Sequence, residues 1–219
     1  MHSWNLTPKE AVQLQRKLKN SIQTDIPFKC PRLVAGVDVA YLPQAKQSIA
    51  SVVVLSYDGL ATVESTVARS DTPFPYIPGL LRFREIPVIL KAIEKLSSLP
   101  DLIYVDGHGQ AHPRRFGIAS HLGLWLKYPT IGIGKSRLCG EFREPSQRRG
   151  SSTNLIHQGE VIGRVLRTRQ GVKPIFVSVG YGLPLRECVR LTLAVTPRFR
   201  LPEPIRQADA LSEKSKDII

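Results

Sequence analysis

The chain has 219 residues, 42% of them apolar, enough for one large domain with a real core. Its 31 Lys and Arg against 18 Asp and Glu leave a formal charge of +13. That excess favours a polyanionic partner over mere solubility or an acidic membrane surface, because neutralising phosphates releases condensed counterions. No run approaches the ~18 consecutive apolar residues of a membrane span, and MHSWNLTPKE lacks the regions of a signal peptide. Three distant cysteines, Cys30, Cys139 and Cys188, form no CxxC pair, which argues against zinc and disulfides and for a cytoplasmic location without a membrane partner.

In chain order, Thr7-Pro8-Lys9-Glu10 is a capping box, and Ala11, Leu14, Leu18 and Ile22 line one face of the helix it starts. Pro27 and Pro31 close that stretch. Leu33–Val39, Ser48–Leu55 and Thr62–Ala68 read as three strands of an antiparallel meander, with Asp58-Gly59 as a hairpin turn. A proline-rich segment, 73–79, precedes a helix expected over Gly79–Leu96 and kinked at Pro87. Then come a strand at Leu102–Asp106, a helix at Phe116–Lys127 and a strand at Thr130–Gly134, a β-α-β-α-β run that implies parallel pairing. Glu141–Ser152 reads as a mobile basic loop, Val161–Arg167 and Ile175–Val179 as a strand pair, and the stretches from Leu185 and Pro202 as closing helices. With no repeat or linker, the expected fold is a single α/β domain over residues 1–219, a mixed sheet flanked by helices.

Two carboxylates stand in apolar strands: Asp38 in VAGVDVAY and Asp106 in LIYVDGHG. Burying such a charge unpaired costs several kcal/mol, so each needs a partner, and neighbouring strands would make them converge. Glu85 and Asp209 lie on helices; alone, either is as readily a solvated charge as a ligand. Together the four are hard oxygen donors suited to Mg²⁺, with Mn²⁺ as a substitute, and a carboxylate cluster in a basic chain suits phosphodiester hydrolysis. His108 and His112 have the spacing of helical zinc ligands, but Gly109 and Pro113 argue against a helix there. TIGIGKS resembles the end of a phosphate-binding P-loop, yet Pro129 stands where that motif needs glycine, so no nucleotide cofactor is expected and Lys135 is left to meet a substrate phosphate or solvent. The stiff PFPYIPG segment presents Tyr76 and Ile77 either as a wedge between bases or as a turn packed on the core.

Taken together, GVDVAY, PYIPGLLRFRE, VDGHGQAHPRR, TIGIGKSRL and the LPEP-R-AD pattern resemble the endonuclease V family from about Leu33 to Leu211. The resemblance implies a ribonuclease H-like fold and a magnesium-dependent DNA repair endonuclease acting on deoxyinosine. It implies hydrolysis of the second phosphodiester bond 3′ of the lesion, leaving 3′-hydroxyl and 5′-phosphate ends. It places Asp38, Glu85 and Asp106 on the metal and catalytic acids, Asp209 near the metal, Lys135 and His112 on the active-site lysine and histidine, and Tyr76, Ile77, Pro78 and Gly79 in a strand-separating wedge. Gly109, Gly132 and Gly134, with Leu81 and Leu138, are expected to shape the base pocket. Inosine-containing RNA is the alternative substrate, and a non-catalytic nucleic-acid-binding relative the alternative role. One departure is Tyr181 in VSVGYG, where the family commonly has histidine; it puts a phosphate contact there in doubt.

Overall fold

β-branched and small apolar residues build the first three strands, and they form the expected meander. The computed structural model describes residues 2–72 and 74–216, so Pro73, which opens the proline-rich segment, lies outside them. β1 (Leu33–Leu42) pairs antiparallel with β2 (Gln47–Ser56), which pairs antiparallel with β3 (Thr62–Asp71). β4 (Leu102–Asp106) runs parallel beside β1, not beside β3, and β5 (Thr130–Gly134) runs parallel beside β4. β6 (Ser152–His157), β7 (Glu160–Leu166) and β8 (Ile175–Tyr181) complete one mixed sheet in the order β3-β2-β1-β4-β5-β8-β7-β6.

Among the described residues five α-helices join it: α1 (Pro8–Leu18), α2 (Arg82–Ile93), α3 (Ile118–Leu126), α4 (Leu185–Ala194) and α5 (Glu203–Lys214). Alternation along the strands splits the core into two layers. Val34, Tyr104, Ile131 and Val177 pack with Leu191 of α4 and Ile205 of α5 on one face, while Ala35, Val37, Val52 and Val105 pack with Ile89 of α2 and Leu122 of α3 on the other. Gly36 lets α5 lie directly on β1, since a Cβ there would sit 1.9 Å from the Pro204 carbonyl oxygen. Among the described residues no helix is long and apolar enough to cross a membrane.

Several boundaries differ from the sequence reading. α2 begins three residues later than expected because Gly79 has φ +79°, a left-handed turn that ends the wedge segment before the helix can start. The capping box forms as expected, with the Thr7 N–H donating to Glu10 Oε2 at 2.8 Å, but the buried face of α1 is centred on Ala11 and Gln15. β6 went unread: it is an edge strand of mixed polarity, joined to β7 by a tight turn in which Gln158 (φ +55°) and Gly159 (φ +79°) are both left-handed. The basic 141–152 stretch, expected to be mobile, is anchored. The buried Arg167 guanidinium donates to the carbonyls of Pro145 at 3.0 Å and Ser146 at 3.2 Å.

Candidate active site

The parallel pairing of β1 with β4 sets Asp38 and Asp106 side by side, just past the last paired residues Val37 and Val105. Both follow the alternation that faces α5, as Val34 and Tyr104 do, and α5 brings Asp209 over them. One carboxylate oxygen from each of Asp38, Asp106 and Asp209 lies within 4.8 Å of the others. The Lys135 ammonium, at the end of β5, bridges two of them, 2.6 Å from Asp106 Oδ2 and 2.8 Å from Asp209 Oδ1. The Ser212 hydroxyl, one turn along α5 from Asp209, donates to Asp38 Oδ2 at 2.5 Å. Nothing in the sequence pattern marked Ser212; only the crossing of α5 over Gly36 brings it there.

Glu85 of α2 stands outside that trio but lines a cavity of about 230 Å³ with Asp38 and Asp106. Burial, then the negative charges of Asp38 and Asp106, push its carboxyl up to about 7. Burial likewise raises Asp106 to about 6, against the downward pull of the Lys135 hydrogen bond and charge. For Lys135, burial would lower the ammonium, but hydrogen bonds and charges from Asp106 and Asp209 outweigh it and the net shift is upward. The cluster thus strains against its own negative charge, and one ammonium does not neutralise it. Its donors are all hard oxygens at converging distances, so the residues present fit a divalent cation such as Mg²⁺.

A second cavity of about 210 Å³ opens beside the acids, between Gly79, Leu81 and Arg82 on one side and Gly107, His108 and His112 on the other, with Leu138 at its edge. Glu85 and Asp106 form part of its wall. His112 is buried, with Nε2 3.0 Å from Arg82 Nη2. Burial and the cations of Arg82 and Arg114 hold its imidazole well below the usual histidine range, so it is neutral near pH 7. It lies in the cavity wall, outside the acidic trio.

The other expected site residues fall as follows. Tyr76 is 70% exposed and Pro75 and Pro78 are also exposed, while Phe74 takes the core position and Ile77 packs beside it. The aromatic tip therefore projects, and the alternative of a ring packed on the core does not hold for Tyr76. Gly132 and Gly134 lie within β5, so TIGIG is a buried strand, as expected, with Lys135 and Ser136 exposed beyond its end. With Gly109 they permit close backbone contact. Cβ atoms at Gly132 and Gly109 would sit 2.3 Å from Gly109 N and 2.0 Å from Val179 O, and one at Gly134 would meet the His108 ring. These three glycines seat the loop after β4 and are not among the residues that line the cavity. His108 reaches Ser136 O at 3.1 Å, while His112 meets Arg82 and the Arg114 backbone. Tyr181 pairs with Thr130 at the opposite end of β5 from Lys135, buried, its hydroxyl donating to Gln23 Oε1 at 2.9 Å. There it holds the segment after α1 and contacts none of the acids.

An Endonuclease V family model matches residues 13–210. Endonuclease V of Trichormus variabilis is 49% identical over 212 residues, covering 96% of this chain and 96% of its own. The crystal structure of Endonuclease V from Streptomyces avermitilis aligns with a TM-score of 0.94 at 43% identity, over 99% of this chain and 96% of that one. Endonuclease V of Ciona intestinalis, solved with a 23mer DNA containing an inosine followed by a ribo-adenosine, aligns at a TM-score of 0.86 and 28% identity, over 98% of this chain and 100% of that one. These neighbours have a ribonuclease H-like fold, and the eight-stranded mixed sheet described above is that fold.

Proposed function

The chain belongs to the endonuclease V family, and from that premise we propose that it is a DNA repair endonuclease that recognises deoxyinosine and cuts the second phosphodiester bond on its 3′ side. The observation that carries this reading is the convergence of Asp38, Asp106 and Asp209 within 4.8 Å, beside a cavity of about 210 Å³ whose lining includes Gly79, the last residue of the wedge segment. The inosine-bearing DNA held by the Ciona relative supports the substrate class.

Asp38, Asp106 and Asp209, with Glu85 beside them, would hold Mg²⁺ or Mn²⁺, which when bound activates water and neutralises charge developing on the scissile phosphate. Glu85, which lines the cavity with Asp38 and Asp106, is placed to orient the attacking water and accept its proton. Lys135 keeps its proton throughout and offers its positive charge at the edge of the trio, where a phosphate oxygen becomes more negative. Tyr76 enters the stack, and the extruded purine occupies the cavity between Leu81 and His112. Extrusion costs less where pairing is weak, which favours a deaminated base. The leaving 3′ oxygen takes up a proton, giving 3′-hydroxyl and 5′-phosphate ends.

Inosine-bearing RNA is a second reading, supported by the ribo-adenosine that follows inosine in the Ciona complex. Matched DNA and RNA strands with one inosine each, incubated with Mg²⁺ or EDTA and mapped to single nucleotides, test both. Metal-dependent cutting at the second bond 3′ of inosine, lost in Asp38→Ala and Asp106→Ala while binding persists, is expected. Cutting that ignores inosine, or that survives in both variants, would overturn the reading.

A further inference from the structure

α1 lies far from the acids in sequence, and it buries one polar residue: Gln15 has no exposed surface. A buried amide left unpaired costs about 1–3 kcal/mol, so its partners are informative. Its Nε2 donates to the Gly79 carbonyl oxygen at 2.9 Å, and its Oε1 accepts from Arg114 Nε. Arg114 Nη2 donates to that same Gly79 oxygen at 2.9 Å, and Arg82 Nη2 reaches it at 3.3 Å. Donors from three segments meet on one carbonyl: α1, the loop after β4, and the first turn of α2.

The carbonyl belongs to the left-handed residue that ends the wedge segment. A Cβ at Gly79 would lie 2.7 Å from Arg114 Nη2, so the guanidinium fills the space that any other residue would need. The Arg114 backbone N–H donates in turn to His112 Nδ1 at 3.1 Å. What the knot joins are therefore the two walls of the cavity, Gly79, Leu81 and Arg82 facing His108 and His112. Neither 74–81 nor 107–117 contains a helix or strand that would hold it in place.

We propose that Gln15 is a positioning residue for base recognition: through the Gly79 carbonyl and Arg114 it sets the spacing between the wedge loop and the His112 wall. This rests on the reading that the cavity takes the lesion base. Gln15 touches no substrate, being sealed beneath the knot. A glutamine that only stabilised the core would lower thermal stability and depress every step alike. A spacer of the recognition cavity acts on lesion engagement and leaves the chemistry at the acids intact.

The test uses the full chain with Gln15→Met, which removes both hydrogen bonds, and Gln15→Glu, which keeps the acceptor for Arg114 and loses the donor to Gly79. Single-turnover cutting with Mg²⁺ is followed against enzyme concentration on an inosine strand, and binding to an inosine-free strand is measured in EDTA. For Gln15→Met the half-saturating enzyme concentration should rise about tenfold, with the saturating rate within about twofold and inosine-free binding unchanged. Gln15→Glu should fall between it and the wild type. An unchanged half-saturation, or a saturating rate that falls in step with it, in protein that melts near the wild type would overturn the proposal. If Gln15→Met does not fold, Arg114→Met removes the other half of the knot from a more exposed position, and the same split is required of it. Wild-type protein that cannot tell inosine from adenine would sink the functional reading instead.

Discussion

Removing the charge of Glu85 should stabilise the protein while destroying its activity. The carboxyl sits at about 7 in the folded chain against an ordinary value of 4.5. Its pKa is raised on folding, so the folded state holds the proton more tightly and loses stability relative to the unfolded chain as pH climbs from 4.5 through 7. Below that window both states are protonated and the penalty vanishes; above it both are ionised and the penalty is at its full value. Linkage over this interval puts it at about 3 kcal/mol at pH 8 and under about 1 kcal/mol at pH 5. Glu85→Gln keeps the shape and removes the charge. In EDTA at pH 8 it should therefore melt several degrees above the wild type, at roughly 2–4 °C per kcal/mol for a chain of this size, and the gap should shrink at pH 5. Adding Mg²⁺ should raise the wild-type melting temperature more than that of the variant, because neutralising the cluster relieves the same repulsion. Thermal melts across pH with and without metal measure all three. A variant less stable than the wild type at pH 8, or a gain independent of pH, would refute the claim that Glu85 is held against its own ionisation.

Three other outcomes are expected. Tyr76→Ala should weaken affinity for an inosine-bearing duplex by several-fold while leaving the saturating cutting rate near normal, since the ring is exposed and lines neither cavity that the acids share; equal affinities in a binding titration would count against the wedge. Lys135→Met removes the ammonium that sits 2.6 Å from Asp106 and 2.8 Å from Asp209, so the saturating cutting rate should fall by about a hundredfold while binding persists; a rate near the wild type would argue that the charge of Lys135 is not used at the phosphate. Gly36→Ala forces a Cβ to 1.9 Å from the Pro204 carbonyl oxygen. It should cost about 1–3 kcal/mol by overpacking and raise the Mg²⁺ concentration needed for cutting, as α5 lifts Asp209 and Ser212 away from Asp38; a melt and a metal titration unchanged from the wild type would show that α5 does not need that close approach.

Much of this site was legible in the residues alone because its chemistry is written locally. Carboxylates in apolar strands, a proline-stiffened aromatic segment and a lysine after a glycine-rich strand each carry a physical oddity within a few positions, and the apolar runs VAGVDVAY and LIYVDGHG singled out Asp38 and Asp106. Other features were not legible because their meaning depends on contacts between distant segments. Thr130–Gly134 was readable as a strand, but the need for glycine at 132 and 134 shows only once the loop after β4 packs against them. Tyr181 reads as a substitution in a functional motif until β8 is found antiparallel to β5, which carries it to the end opposite Lys135. β6 has too mixed a pattern to be read as a strand, and only its turn and its partner β7 define it. The candidate acids Asp38 and Asp106 and the stiffness of the proline-rich segment were thus determined by the sequence itself, because burial of a charge and rigidity of a proline are local properties; that Tyr76 projects while Phe74 packs inside was decided by the fold. Tertiary structure alone decided which side chains support them, Ser212 against Asp38 and Gln15 beneath Gly79. A hydrogen bond between residues 174 or 64 positions apart leaves no periodic trace in the chain; it exists only once α5 crosses Gly36 and α1 docks beneath the wedge.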